Sequence, residues 1–467
     1  MFDMDVTMSP QSIIIFLYLI LVLIIGVWAG RGVKNMKDYA VAGKSFGTMA
    51  IFATLSASFI GGGFSMGNAE KVFLVGISNI VALWGFSLKE ILVAKYIAPN
   101  IVNYPNAISV GDIMEPAYGK EARIFAGIFG VILSAGILGA QIGAIGYIFN
   151  LFLDLSRTTG IILGLGIVII YSTVGGMRAV VWTDIIQFIV LVVGIPLVLY
   201  FGIEYVGGWS EVVAKVPASH LSISTEPMAL VALVSLFLTF LLGETLVPPY
   251  LQRLLIGKKN HHVRRGTLMS GLFSIPFFLI TGLIGLVALA MNPELDANLS
   301  MPYVIQEAMP PLLQGVVIAA IISIIMSSAD SFLNAAAIAF SNDIFKPLRN
   351  KELTHIQELK LARIITLVVG IVAVIFALSI DSVLDILIYS YNFWAPTILV
   401  PLTAALLNAP VSKKRFIAGA SAGIFVTIIW SNLFASPLGI DGLVVGTLAN
   451  FFAFFLTDRT NARRKNK

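Results

Sequence analysis

The sequence predicts an all-α polytopic membrane protein of about thirteen transmembrane helices, and three observations predict it. Of the 467 residues, 58% are hydrophobic and 12% charged, with a mean hydropathy of +0.93; soluble chains carry about 25% charged residues. Apolar segments of about 20 residues, the length that crosses a hydrocarbon core, recur along nearly the whole chain. Charge is also partitioned. With spans at 11–30, 46–70, 72–95, 123–152, 159–175, 180–203, 228–251, 267–291, 313–340, 361–380, 383–408, 414–431 and 437–457, every Lys and Arg except Lys71, Lys89, Arg157 and Lys215 falls on one side. The positive-inside rule then puts the N-terminus outside and the C-terminus in the cytoplasm, in a multi-pass protein of the inner (plasma) membrane.

The first segment, 11–30, has no basic residue before it and no small-residue cleavage site near its end, so it reads as a retained span. The basic loops set orientation rather than nucleic-acid binding; the most basic of them holds Arg253, Lys258, Lys259, Arg264 and Arg265. Segments 204–227 and 292–312, outside, carry Pro, Asn and acids and are expected to form short surface helices. Segment 109–120 is expected to lie along the inner interface. The absence of cysteine excludes disulfides, iron–sulfur clusters and thiol catalysis. No nucleophile–base constellation points to an enzyme.

Two spans are broken. The second contains Ser56-Ala57-Ser58-Phe59-Ile60-Gly61-Gly62-Gly63-Phe64-Ser65, and each glycine costs a helix about 1 kcal/mol relative to alanine. The seventh contains Gly243-Glu244-Thr245-Leu246-Val247-Pro248-Pro249, where two prolines remove donors and crowd the preceding turn. In lipid such breaks are tolerated only against buried protein or a water-filled cavity. The second break comes five spans after the first and so runs opposite to it, as an inverted repeat of five plus five helices requires. Paired interruptions in two halves mark a transporter's midplane binding site.

The ninth span adds oxygen ligands. Ser327, Asp330, Ser331 and Asn334 recur at spacings of three and four and share one helical face, with Ser328 beside them. A carboxylate at the bilayer centre costs about 2.5–3.5 kcal/mol, so Asp330 is expected to face the bundle interior with a partner. A second acid, Asp184, lies near the inner end of the sixth span. Hydroxyls, carboxylates and the carbonyls of unwound helix ends suit sodium. Glu244 can meet a cationic group of the substrate, a proton or the unwound backbone. Tyr389 and Trp394, beside Pro396 in the eleventh span, and Gln141 in the fourth are candidate pocket residues. Lys89-Glu90 reads as a pair reaching toward the inner interface.

These residues resemble the solute:sodium symporter family over nearly the full chain. The resemblance runs through Ile60-Gly61-Gly62-Gly63-Phe64, Thr173-Val174-Gly175-Gly176, Trp182-Thr183-Asp184-Ile185-Ile186-Gln187, Gln252-Arg253 and Met326-Ser327-Ser328-Ala329-Asp330-Ser331. It implies a LeuT-type five-plus-five inverted repeat with one extra N-terminal and two extra C-terminal helices. The units are then 1–45, the extra helix and first loop; 46–203, the first repeat; 204–408, the second repeat with its outer connector; and 409–467, the last two helices and a basic tail. The resemblance implies a main sodium site on the carbonyls of Ala57, Ile60 and Ile324 and the hydroxyls of Ser327 and Ser328. A second cation site would use Asp184, Ser327, Asp330 and Ser331, its ion being sodium or a proton shared between the acids.

Within the family the motifs are most similar to the high-affinity choline transporter branch, but Phe59, Val247 and Ile137 stand where its tryptophan cage is expected. Phe64 and Ile388 stand where sugar carriers have glutamines. The expected function is therefore sodium-coupled symport importing a small organic solute, best a small amino acid or other zwitterion, by alternating access. A quaternary ammonium, sugar or carboxylate substrate, or a solute sensor that does not transport, is the alternative. The substrate-binding candidates are Ser58, Gly61, Gly62, Gly63, Phe64, Gln141, Glu244, Val247, Tyr389 and Trp394, and the expected partners are solute, sodium and the lipid bilayer.

Overall fold

The structure is a computed structural model, which describes residues 9–349, 353–379 and 393–457. Tyr389 and Ile388 lie outside the described residues. Helices make up nearly all of what is described, and the pairing nearest to a strand is one parallel bridge between Phe46 and Gly257. Six described helices are long and apolar enough to cross a membrane, or seven if the bent pair Thr48–Phe59 and Phe64–Val75 counts as one span. Pro227–Leu242, Ala395–Leu406 and Gly442–Leu456 are shorter apolar helices at expected positions.

Local chemistry explains the boundaries. The two segments expected at 159–175 and 180–203 are two helices within Arg157–Val206 that meet in a sharp turn at Gly176, with φ 50° and ψ −143°. A β-carbon at Gly176 would lie 2.4 Å from the Tyr39 carbonyl oxygen, so only glycine serves there. The connectors contain the expected short helices, Trp209–Lys215, Ser300–Ala308 and Gly111–Tyr118.

The helix Pro311–Ile338, hereafter the serine helix, is the centre of the bundle. Its residues from Val317 to Ile338 are all buried, and it packs on the Lys120–Leu153 and Arg157–Val206 helices and on both broken ones. The half-helices Thr48–Phe59 and Pro248–Leu255 are tied by backbone at their ends away from the breaks: the Phe46 N–H donates to the Ile256 carbonyl at 3.2 Å, and the Lys258 N–H to the Phe46 carbonyl at 2.9 Å.

Candidate functional site

The first broken helix stops at Phe59. Ile60 (φ −72°, ψ 41°) and the extended Gly61 (φ −61°, ψ 172°) link it to the second half, Gly62–Val75, bent by 47°. The last carbonyls of the first half thus leave the intrahelical ladder and are free to meet other groups. One does: the Ser328 hydroxyl donates to the Ser58 carbonyl at 3.1 Å. The glycine at 61 is set by this approach, because a β-carbon there would sit 2.7 Å from Ser328 Oγ and 3.3 Å from Gln141 Nε2.

The second broken helix ends at Leu242 and resumes at Pro248. The two prolines occupy the first turn of the new half, where their missing N–H groups would have had no helical partner. Leu246 adopts a left-handed φ of 56°. The freed Thr245 carbonyl accepts from the Trp394 indole at 3.1 Å, and the Tyr250 hydroxyl donates to Glu244 at 2.7 Å.

Below the first break lies a buried polar cluster. Asp184 accepts from Ser327 Oγ at 2.5 Å, from the Thr54 hydroxyl and from Arg253 Nη2 at 3.0 Å. Arg253, fully buried, also donates to Ser331 Oγ at 2.5 Å, to Thr54 Oγ1 at 3.0 Å and to the Pro249 carbonyl at 3.0 Å. Arg253 is therefore no loop residue: the short helix Pro248–Leu255 carries it back into the bundle, where a carboxylate and the helix-end carbonyls replace its water. Asp330 meets only hydroxyls among the described residues, from Tyr171 at 2.5 Å, Ser331 at 3.1 Å and Thr183 at 3.5 Å. Lys89 and Glu90 do not reach the interface either, being 2% and 3% exposed and paired at 2.8 Å.

Above the cluster is a cavity of about 170 Å³ lined by Ser58, Phe59, Gly61, Phe64, Ile137, Gln141, Phe240, Glu244, Tyr250, Ser328 and Phe332. Five of the substrate candidates, Ser58, Gly61, Phe64, Gln141 and Glu244, meet there. Gly62 and Gly63 follow in the first turn beyond the break, Val247 is buried away from the lining, and Trp394 is buried where it holds the second break. Phe240, Tyr250 and Phe332 were not foreseen. Two of them carried a signal, for Phe332 lies one turn beyond Ser328 and Phe240 one turn before Glu244. The Gln141 amide oxygen is buried with no hydrogen-bond partner among the described residues. Glu244 is the one charged residue of the lining, which includes no basic side chain.

A helical bundle in which two broken helices meet an oxygen-rich helix at a small cavity is the architecture of a secondary transporter. Its overall fold superposes on a Na+-coupled sialic acid symporter in a substrate-bound outward-open state with a TM-score of 0.81 at 20% identity, covering 97% of this chain and 98% of that one. A nucleobase-cation-symport-1 family transporter in a closed conformation follows with a TM-score of 0.59 at 13% identity, covering 90% and 94%.

The chain belongs to the sodium:solute symporter family, whose model matches residues 39–426. It is 26% identical over 403 residues to the high-affinity choline transporter 1 of Drosophila melanogaster, covering 82% of this chain and 63% of that protein's length. It is 24% identical to the high-affinity proline transporter PutP of Bacillus subtilis, over 93% of this chain and 96% of that one. It is also 24% identical to the sodium/glucose cotransporter of Vibrio parahaemolyticus, over 89% and 84%. The protein is thus an integral membrane symporter of LeuT-type fold with sodium as its coupling ion, and not an enzyme.

Proposed function

We propose that this symporter imports a small solute with an ammonium group and an apolar body, such as a small amino acid or other zwitterion. The observation that carries this reading is the lining of the cavity: one carboxylate, Glu244, an amide oxygen on Gln141 with no hydrogen-bond partner among the described residues, and Phe59, Phe64, Phe240 and Phe332 around them. Two acceptors select a donor-bearing cationic head, and the phenyl faces favour apolar and cationic groups together. Sodium binds the carbonyls of Ala57, Ile60 and Ile324 and the hydroxyls of Ser327 and Ser328. The Ser328–Ser58 contact at 3.1 Å supports this, since it brings the serine helix against the carbonyls left open by the break. Bound sodium fixes the break and so shapes the glycine wall of the cavity.

In this reading thirteen spans form the five-plus-five inverted repeat with one helix before and two after, the N-terminus outside and the C-terminus in the cytoplasm of a plasma-membrane protein. For the second cation site, Arg253 already supplies positive charge to Asp184 and Ser331. Asp330, surrounded by hydroxyls, is the group left to take a proton or a sodium ion.

Thermal-shift measurements of the purified protein with amino acids, betaines, sugars and carboxylates, in sodium or potassium, test the substrate class. Stabilisation follows the logarithm of ligand over Kd. Zwitterions or amines are expected to stabilise in sodium alone. Equal shifts in the two salts would overturn the coupling site, and a carboxylate or sugar as the stabilising ligand would overturn the substrate class. Ser328→Ala is expected to raise the sodium concentration for half-maximal uptake about tenfold, the loss of about 1.4 kcal/mol. Stabilisation by solute without uptake into proteoliposomes would instead identify a sensor.

A further inference from the structure

The segment that leads into the first broken helix is anchored at both ends and wound left-handed between them. Upstream, the short helix Met36–Val41 is fixed to the body of the protein through Tyr39, which is fully buried. Its hydroxyl lies 3.0 Å from the Ser172 carbonyl oxygen and 2.8 Å from the Thr366 hydroxyl, on Arg157–Val206 and His355–Ser379. Downstream, the Phe46 backbone pairs with Ile256 and Lys258, and Thr54 of the half-helix Thr48–Phe59 bonds Asp184 and Arg253.

Between these anchors three consecutive residues are left-handed: Ala42 at φ 50°, Gly43 at φ 62° and Lys44 at φ 55°. Glycine adopts this conformation freely, but in alanine and lysine the β-carbon crowds the following carbonyl oxygen. Alanine also brings no polar group that could favour it, as asparagine or aspartate would. Such residues persist only where their surroundings over-determine them. Here the surroundings are local bonds, from the Ser45 hydroxyl to the Ala42 carbonyl at 2.8 Å and from Lys44 Nζ to the Tyr104 carbonyl at 3.3 Å, together with the two anchors. The chain reverses its winding so that Tyr39 stays seated while Phe46 reaches Ile256.

Symport requires the site to open on each side in turn, so the elements that cover it must part. On the side of the buried cluster the cover is the pair of clasped half-helices, Thr48–Phe59 and Pro248–Leu255, which Thr54 and Arg253 hold against Asp184 and Ser331. We propose that Ala42 and Lys44 form a loaded hinge for this cover. Their turn is strained while the half-helices are seated and relaxes when they swing away, so it favours opening and works against the ion-bound arrangement. This rests on the reading that sodium joins the Ala57 and Ile60 carbonyls to the serine helix. It makes Ala42 and Lys44 positioning residues for the ion site, acting through the half-helix that carries those carbonyls and without contact to the ion.

The chain has no cysteine, so a single reporter can be placed in it. Ala126, on the Lys120–Leu153 helix, is 1% exposed and lines a small void with Pro248 and Gln252 of the second half-helix and Ala335 of the serine helix. The rate at which Ala126→Cys reacts with a methanethiosulfonate, in purified protein without sodium or solute, reports how often the half-helices part from that wall. Ala42→Gly removes strain from the seated state alone and is expected to slow labelling about fivefold or more. Gly43→Ala adds a third strained residue, its β-carbon 2.9 Å from Asp38 Oδ1, and is expected to speed labelling by a similar factor.

A turn that only links two helices would keep its conformation throughout, and both substitutions would then move Tm and leave the labelling rate unchanged. That result, or shifts of the same sign, would overturn the proposal. Ala42→Gly combined with Lys44→Gly carries the test if Gly43→Ala does not fold: it is expected to label more slowly than either single variant, and a rate equal to that of the parent overturns the hinge. Sodium is then added to the same assay. Opposite shifts of Ala42→Gly and Gly43→Ala without any protection by sodium would overturn the sodium site and leave the hinge established.

Discussion

The two breaks solve the same backbone problem in opposite ways. The first is short, Ile60 and Gly61, and bare of polar side chains; the Ser58 carbonyl before it accepts from a hydroxyl of another helix. The second is five residues long and dressed with side chains: Glu244, with Tyr250 on its carboxylate, and Trp394 on the Thr245 carbonyl. An interruption made of backbone offers carbonyl dipoles and little chemical selectivity, which suits an alkali cation. An interruption that carries a carboxylate and aromatic neighbours can discriminate among solutes. In the proposed reading the ion sits at the first break and the charged group of the solute at the second, with the cavity walled by both.

That division can be broken from either side. The largest effect is expected from Gly61→Ala: its β-carbon would meet Ser328 Oγ at 2.7 Å, push the serine helix off the break, and abolish sodium-driven uptake and sodium-dependent stabilisation together. Retention of either would show that the close approach is dispensable. Next comes Asp184→Asn, which strands the buried Arg253; a loss of about 3–5 kcal/mol in unfolding free energy is expected, recovered in part by adding Arg253→Met. Equal instability of the single and double variants would mean that Asp184 is needed for more than pairing.

Glu244→Gln sharpens the comparison. Losing a charge-assisted hydrogen bond worth about 1.5–3 kcal/mol should weaken solute binding about tenfold to a hundredfold while the sodium concentration for half-maximal binding stays unchanged. A parallel shift in sodium affinity would merge the two breaks into one site. The smallest effect is expected from Trp394→Phe, which removes the indole donor to Thr245 and should cost about 1 kcal/mol of stability, read as a modest fall in Tm with sodium affinity unaltered.

Both breaks and the serine face were legible in the chain because their causes are local: glycine and proline disfavour helix, and spacings of three and four set one face. What the chain hid was long-range. A basic residue after an apolar run reads as the start of a loop, and nothing adjacent to Arg253 reveals that Asp184, 69 positions earlier, is its partner. Lys89 and Glu90 likewise read as a pair heading for water, since the rings of Phe86 and Tyr250 and the notch at Gly271 close over them only in three dimensions. Within the cavity, helix periodicity pointed to Phe332 and Phe240, but Tyr250 comes in by way of a half-helix whose direction is set after the break.

The backbone clasp between Phe46 and the Ile256–Lys258 strand-like segment also has a consequence for how the protein is made. Its two ends are separated by about 210 residues, which a ribosome adding about 5–20 residues per second needs about 10–40 s to synthesise. For most of that interval the segment Thr48–Phe59 has been made while the residues that pair with Phe46 and the guanidinium that bonds Thr54 have not. These contacts of the first half of the molecule are therefore completed only when the second half arrives.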